Sequence, residues 1–239
     1  HPPACATPPT TPVSYTIVGT LSGLYTVGTG KDYATLTAAV ADLNLKEVVG
    51  AVTFELWDAT YSGAETFPIT INNYLGVSPS NTVMIRPAAG VVPTVSGSSS
   101  SGILRLNGCQ YVTIDGSNSG GNDKSLTFSN SNTASNTYAI GLLNNGSQGA
   151  SNCAVKNCNL KASSQLTNNT YGVFLSTTGG GYSNILIDNN SIFSARYGIQ
   201  FAGASGATAA NGQITNNIIG TATTASEIKF VGIYLTQAD

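Results

Sequence analysis

Hydrophobic and polar residues alternate along this chain in short runs, and the runs recur. Ile185 and Ile187 fall on one face of an extended segment and Leu186 on the other, the period of two that marks a β-strand. The same alternation fills Val52-Thr53-Phe54-Glu55-Leu56, Thr82-Val83-Met84-Ile85-Arg86, Ile103-Leu104-Arg105-Leu106 and Tyr111-Val112-Thr113-Ile114. Gly, Ser, Pro or Asn bounds each run, as expected where strands turn. One stretch reads as helix: Ala34 to Leu43 sets Leu36, Ala39, Val40 and Leu43 at i, i+3, i+4 and i+7 on a single face.

Two sets of segments superpose on themselves. Tyr138-Ala139-Ile140, Tyr171-Gly172-Val173, Tyr197-Gly198-Ile199 and Val231-Gly232-Ile233 form the first, their third residues 33, 26 and 34 apart. Cys153 to Leu160, Ile185 to Ile192 and Gly212 to Ile219 form the second, with Val155, Ile187 and Ile214 at steps of 32 and 27. A unit of roughly 25–35 residues with three short strands cannot bury its own apolar face, so successive units stack. Parallel strands need crossovers that are usually helical; here no helical pattern is on offer, and each turn of a parallel β-solenoid serves as its own crossover.

Each unit turns at an Asn: Asn157, Asn189 and Asn216 occupy one corner, where Asn tolerates the left-handed conformation. Stacked from coil to coil, their amides are expected to form a structural hydrogen-bonded ladder. The expected organisation is a Pro-rich extended tail over residues 1–14, an N-terminal strand and capping helix over 15–50, and coils over 51–239 that continue or stack at the C-terminal end.

The segment Tyr25-Thr26-Val27-Gly28-Thr29-Gly30-Lys31-Asp32-Tyr33-Ala34-Thr35-Leu36, followed by the helix, resembles the opening of right-handed parallel β-helix proteins of the pectin-esterase and pectate-lyase type. With Ile85-Arg86-Pro87-Ala88-Ala89-Gly90 and Tyr111-Val112-Thr113-Ile114-Asp115-Gly116, the chain is closer still to β-helix modules of large secreted bacterial surface proteins. The resemblance implies an all-β fold, a right-handed single-stranded parallel β-helix of three sheets with a short N-terminal capping helix. The catalytic motifs of the enzymes are absent. No Gln is followed by Asp, Arg86, Arg105 and Arg196 are the only arginines, and His1 is the sole histidine. Pectinase chemistry is therefore not expected, nor any cofactor or metal.

Composition narrows the function further. Of 239 residues only 8% are charged and 41% are hydrophobic, against about 25% charged in ordinary domains. A net charge of −2 without a basic cluster excludes phosphate-neutralising nucleic-acid binders. No run approaches the 18 or so apolar residues of a transmembrane helix, and no signal segment remains, so the expected location is secreted, extracellular or at the cell surface. In a solenoid, like side chains stack about 4.8 Å apart; repeated charges would repel where Thr, Ser and Asn hydrogen-bond.

Several side chains invite a chemical reading. Asp115, Lys156, Asp188 and Thr215 align in successive coils, so Asp115 and Asp188 are either a carboxylate pair on a carbohydrate-binding face or a surface Asp-Lys-Asp ladder of small energetic value. Trp57, Tyr61 and Tyr74, with Phe67, are the candidates for an aromatic sugar platform, with core packing as the alternative. Cys5, Cys109, Cys153 and Cys158 allow three disulfide pairings, while Cys153 aligns with inward Ile185 and reads equally as a buried thiol. The expected function is a secreted non-catalytic β-helix, structural, adhesive or self-assembling into filaments by end-to-end stacking. The alternative is a β-helix that binds or degrades a surface polysaccharide.

Overall fold

The computed structural model describes residues 19–146, 148–176, 181–203, 209–223 and 226–236, so the Pro-rich tail and Cys5 lie outside the described residues. The chain is a three-sheet parallel β-solenoid, as the repeats predict. The first sheet stacks Thr20–Val27, Glu47–Leu56, Val83–Pro87, Val112–Asp115, Ala154–Lys156, Leu186–Asp188 and Gln213–Thr215 in that order. The second stacks Thr60–Tyr61, Thr94–Gly97, Leu126–Asn130, Cys158–Lys161, Ser191–Phe193 and Ile218–Ile219. The third stacks Ile69–Asn72, Leu104–Asn107, Thr137–Leu143, Thr170–Ser176, Ala195–Ala202 and Ile228–Thr236. The strand Glu47–Leu56 runs across the expected division at residue 50 and belongs to the first coil.

The superposed segments are true neighbours. Tyr138 pairs with Tyr171 and Tyr171 with Tyr197, while Val155 pairs with Ile187 and Ile187 with Ile214. Inward columns therefore run the length of the molecule: Phe54, Ile85, Ile114, Val155, Ile187 and Ile214 in the first sheet. Tyr61, Val95, Phe128, Leu160, Ile192 and Ile219 form the equivalent column of the second. Burying each such side chain contributes about 1.5–3 kcal/mol, and every column is continuous, so the core is one rod of apolar stacks.

Two columns of left-handed corners flank the first sheet. Asn157, Asn189 and Asn216 have φ of 57, 50 and 53°, as the sequence pattern predicts, and leave the first sheet. A second column enters it: Tyr111, Asn152, Asn184 and Asn211, with φ of 55, 54, 53 and 55°. Asn pays little for this conformation because its short side chain bonds locally.

The helix spans Leu36–Leu43, begins two residues later than the pattern predicts, and buries the four residues that the pattern selects. Thr35 caps it by accepting from Ala38 N. A second cap comes from the first coil, where the Glu65 carboxylate accepts from Leu36 N at 2.8 Å and Thr37 N at 2.7 Å, and from the Thr37 hydroxyl. An anion at the positive helix end satisfies otherwise orphaned amides. Glu65→Ala should lower stability by about 2 kcal/mol, read by urea unfolding; a loss under about 0.5 kcal/mol would mean that water replaces the carboxylate.

Candidate functional site

The outward face of the first sheet carries a charged column. Thr26 pairs with Glu55 and Glu55 with Arg86; further along, Asp115 pairs with Lys156, Lys156 with Asp188 and Asp188 with Thr215. Signs alternate, so each charge meets its opposite: Arg86 Nη2 lies 3.0 Å from Glu55 Oε1 and Lys156 Nζ 3.0 Å from Asp115 Oδ2. Asp115 Oδ1 also accepts from Asn157 Nδ2 at 2.7 Å. Asp188 accepts from the Thr215 hydroxyl at 2.7 Å and Asn216 Nδ2 at 2.8 Å; these bonds, with Lys156 nearby, hold its carboxyl below the usual range. Asp115 and Asp188 sit two coils apart in one column, with Lys156 between them, as the alignment predicts. Wall residues engage both oxygens of Asp115 and Oδ1 of Asp188, and an ionised Asp188 has no proton to give as a general acid.

The aromatic residues expected to form a platform are not brought together. Tyr61 and Tyr74 are buried, a correction to their reading as sugar-stacking groups. Tyr61 donates its hydroxyl proton to Val27 O at 2.7 Å, and the Tyr74 hydroxyl lies 2.9 Å from both Asn81 O and Gln110 O. A Tyr ring fills core space, and its hydroxyl is satisfied by main chain. Trp57 is 43% exposed, but Lys31 Nζ sits 3.8 Å over its ring and Trp57 Nε1 donates to Glu55 at 3.0 Å.

A larger aromatic assembly lies elsewhere, on the third sheet. Tyr138 stacks on Phe174 at 5.3 Å and 9°, Phe174 meets Tyr171 at 4.7 Å, and Tyr171 stacks on Tyr197 at 5.2 Å. Tyr197 then meets Phe230 at 5.4 Å and Tyr234 at 6.0 Å, and the Arg196 guanidinium covers Phe230 at 4.9 Å. Rings stacked on one another along the solenoid axis spend their faces internally, so this is a ladder and not a sugar platform. The repeated Tyr of Tyr138, Tyr171 and Tyr197 was its signal in the sequence.

Asn ladders tie the coils. Asn184 Nδ2 donates to Asn152 Oδ1 at 2.9 Å and Asn189 Nδ2 to Asn157 Oδ1 at 2.8 Å, while Asn216 turns to Asp188. A linked pair escaped the sequence reading: Asn190, buried, and Asn217, half-buried, each one residue past the corner. Asn190 accepts from Cys158 N at 3.0 Å and donates to Val155 O at 2.9 Å; Asn217 accepts from Asn190 N at 2.9 Å and donates to Ile187 O at 2.8 Å. Over this wall folds the loop 116–125, held by Asp123. Its carboxylate accepts from the hydroxyls of Ser117 at 2.6 Å, Ser119, and Ser125 at 2.7 Å, and from Asn118 N at 2.9 Å.

Those donors, Ser117 foremost, push the Asp123 pKa well below the usual carboxylate range. A lowered folded-state value stabilises fully above the unfolded pKa of about 3.9, and that stability is lost as pH falls through the folded value. Protection of the Asn118 amide, its exchange rate relative to the unfolded chain at the same pH, should therefore hold down to about pH 3.9 and fall below it. In Asp123→Asn it should be lost already at neutral pH. Equal protection of the two proteins at neutral pH would show that Asp123 does not hold the loop.

The two ends of the rod differ. At the N-terminal end the helix covers the core with Leu36, Ala39, Val40 and Leu43, all buried. At the other end the last strands of the three sheets, Gln213–Thr215, Ile218–Ile219 and Ile228–Thr236, have a partner on one side only among the described residues. Ile233 and Leu235, which continue the inward columns of Ile199 and Phe201, are 43% and 56% exposed, and Phe230, at the end of the aromatic ladder, is 63% exposed.

The described cysteines, Cys109, Cys153 and Cys158, are buried free thiols, so no disulfide joins any two of them in this structure, and Cys5 lies outside the described residues. No described helix is long and apolar enough to cross a membrane. No protein-family model, curated protein or solved structure matches this chain.

Proposed function

We propose that this chain is a non-catalytic β-helical module of a secreted bacterial surface or matrix protein, structural or adhesive in role, that works by joining coil to coil. The observation that carries this reading is the coil ending in Ile228–Thr236, which no described residue covers. Its inward residues Ile233 and Leu235, the exposed end of the aromatic ladder and three sheet edges all lie on one face. Unpaired strand edges beside exposed apolar residues are a template for another strand. The wall supports the same reading, since its charged groups are paired along the rod rather than gathered around a reacting centre.

In solution the partner for that face is a second copy of the chain. The helix covers the core at the opposite end, so the simplest form of the end-to-end stacking expected from the repeats is a dimer joined through this face. The dimer has a test in light scattering after size exclusion, with negative-stain microscopy to measure rod length. The native chain should run as a dimer of doubled length, and I233K/L235K, which places charge on the joining face, should run as a folded monomer. A native chain that stays monomeric at about 100 μM, weaker than the micromolar range of specific association, would sink the reading.

A further inference from the structure

The corner where the third sheet hands the chain to the first holds two sulfur atoms from adjacent coils. Cys109 follows the strand Leu104–Asn107, and Cys153 precedes the strand Ala154–Lys156, 44 residues later. The two coils are in register here: Gln110 bridges Ser151, and Ser151 N donates to Cys109 O at 3.1 Å. Both thiols point into the core, Cys109 fully buried and Cys153 nearly so. Cys153 Sγ lies 3.6 Å from Cys109 O and 3.2 Å from Ser151 O, so it sits against the main chain of the coil that carries Cys109. Cys158 is turned away, its thiol donating to Lys156 O of its own coil at 3.1 Å.

We propose that Cys109 and Cys153 are a disulfide-forming pair, a covalent staple between neighbouring coils of the solenoid, and that Cys158 remains a thiol. The two buried side chains at one corner, with Cys153 Sγ beside the main chain of Cys109, carry the proposal; the register sets Cys153 beside Val112, so the bridge runs obliquely across the corner between the coils. The oxidant is a small-molecule disulfide such as oxidised glutathione. One protein thiolate attacks it and releases one glutathione thiol. The second protein thiol then displaces the other glutathione, so that two protein S–H groups are oxidised to one S–S bond and one glutathione disulfide is reduced to two thiols.

The location dictates when this happens. Burial pushes the Cys109 thiol well above its ordinary pKa, so the attacking thiolate is scarce once the core is closed. The bond forms readily while the coils assemble and slowly, through local opening, afterwards. Once formed, it constrains a loop of 44 residues in the unfolded chain, which raises stability.

The test uses the full chain, refolded from denaturant in a mixture of reduced and oxidised glutathione, alkylated, digested and mapped by mass spectrometry. The expected product is a peptide pair linked through Cys109 and Cys153, with Cys158 alkylated. The denaturation midpoint should shift upward on oxidation and return on reduction. C109S and C153S should each lose the shift and leave the remaining partner alkylated. To separate chemistry from misfolding, the chain is also folded under reducing conditions first and then exposed to oxidised glutathione in mild urea; the same linkage should appear, faster as urea is raised. Complete alkylation of Cys109 and Cys153 in both arms, or a link from either of them to Cys5 or Cys158, would overturn the proposal.

Discussion

Asn190→Ala should lower the unfolding free energy by about 4 kcal/mol, because a buried polar group without its partner costs about 1–3 kcal/mol and two are created at once. The Asn190 side chain is fully buried and sits between coils. Its amide satisfies Cys158 N and Val155 O on one side and meets Asn217 Oδ1 at 3.0 Å on the other. No water reaches this position to take over. The exchange rate of the Cys158 amide should rise sharply in the variant, alongside a lower urea midpoint. A decrease below about 1 kcal/mol, the net value of one ordinary hydrogen bond, would show that the coils carry their polar groups in some other way.

Gly116→Ala should cost about 3 kcal/mol or more, from overpacking against main chain rather than from conformational strain. A Cβ at this position would lie 2.0 Å from Asn157 O and 2.7 Å from the carbon that bears it. Main chain cannot rotate away as a side chain can, so the two coils must separate. Yet Gly116 N donates to Lys156 O at 2.9 Å, and Gly116 O accepts from Ser125 N at 2.9 Å and Leu126 N at 3.1 Å. Separation therefore breaks the ladder and loosens the loop 116–125 together. The variant should show a lower thermal midpoint and faster exchange at both Ser125 and Leu126. An unchanged midpoint would mean that the corner has slack, which the stacked geometry does not provide.

Much of this architecture can be read from residue spacing. Val155, Ile187 and Ile214 could be aligned because period two and the Asn that closes each segment leave few registers, and a slip by one would turn the whole inward column outward. The Asp115, Lys156, Asp188 and Thr215 column followed from the same alignment. What escaped was chemistry that depends on a distant partner. Asn189 and Asn190 are the same residue type side by side, and only the fold decides that one turns the corner while the other is buried as a bridge. Tyr61 and Tyr74 have rings suited to either surface or core; the carbonyl groups that accept from their hydroxyls, Val27 O and Gln110 O, lie 34 and 36 residues away along the chain. The aromatic ladder had its repeat in plain view, but stacking angle decides whether rings face solvent, and sequence carries no angle.

The helix at one end and the open coil at the other give the molecule a direction of growth. A chain made from its N-terminus completes the covered coil first, and that coil then presents three ready edges to whatever segment emerges next. Each later segment folds by addition to an ordered surface instead of by a search among distant partners, which keeps the effective contact range near one coil although the finished rod is all parallel sheet. Dismantling runs the other way. The coil ending in Ile228–Thr236, packed from one side only among the described residues, should open at the lowest free energy, and protection against hydrogen exchange should climb from Ile233 back toward Phe54.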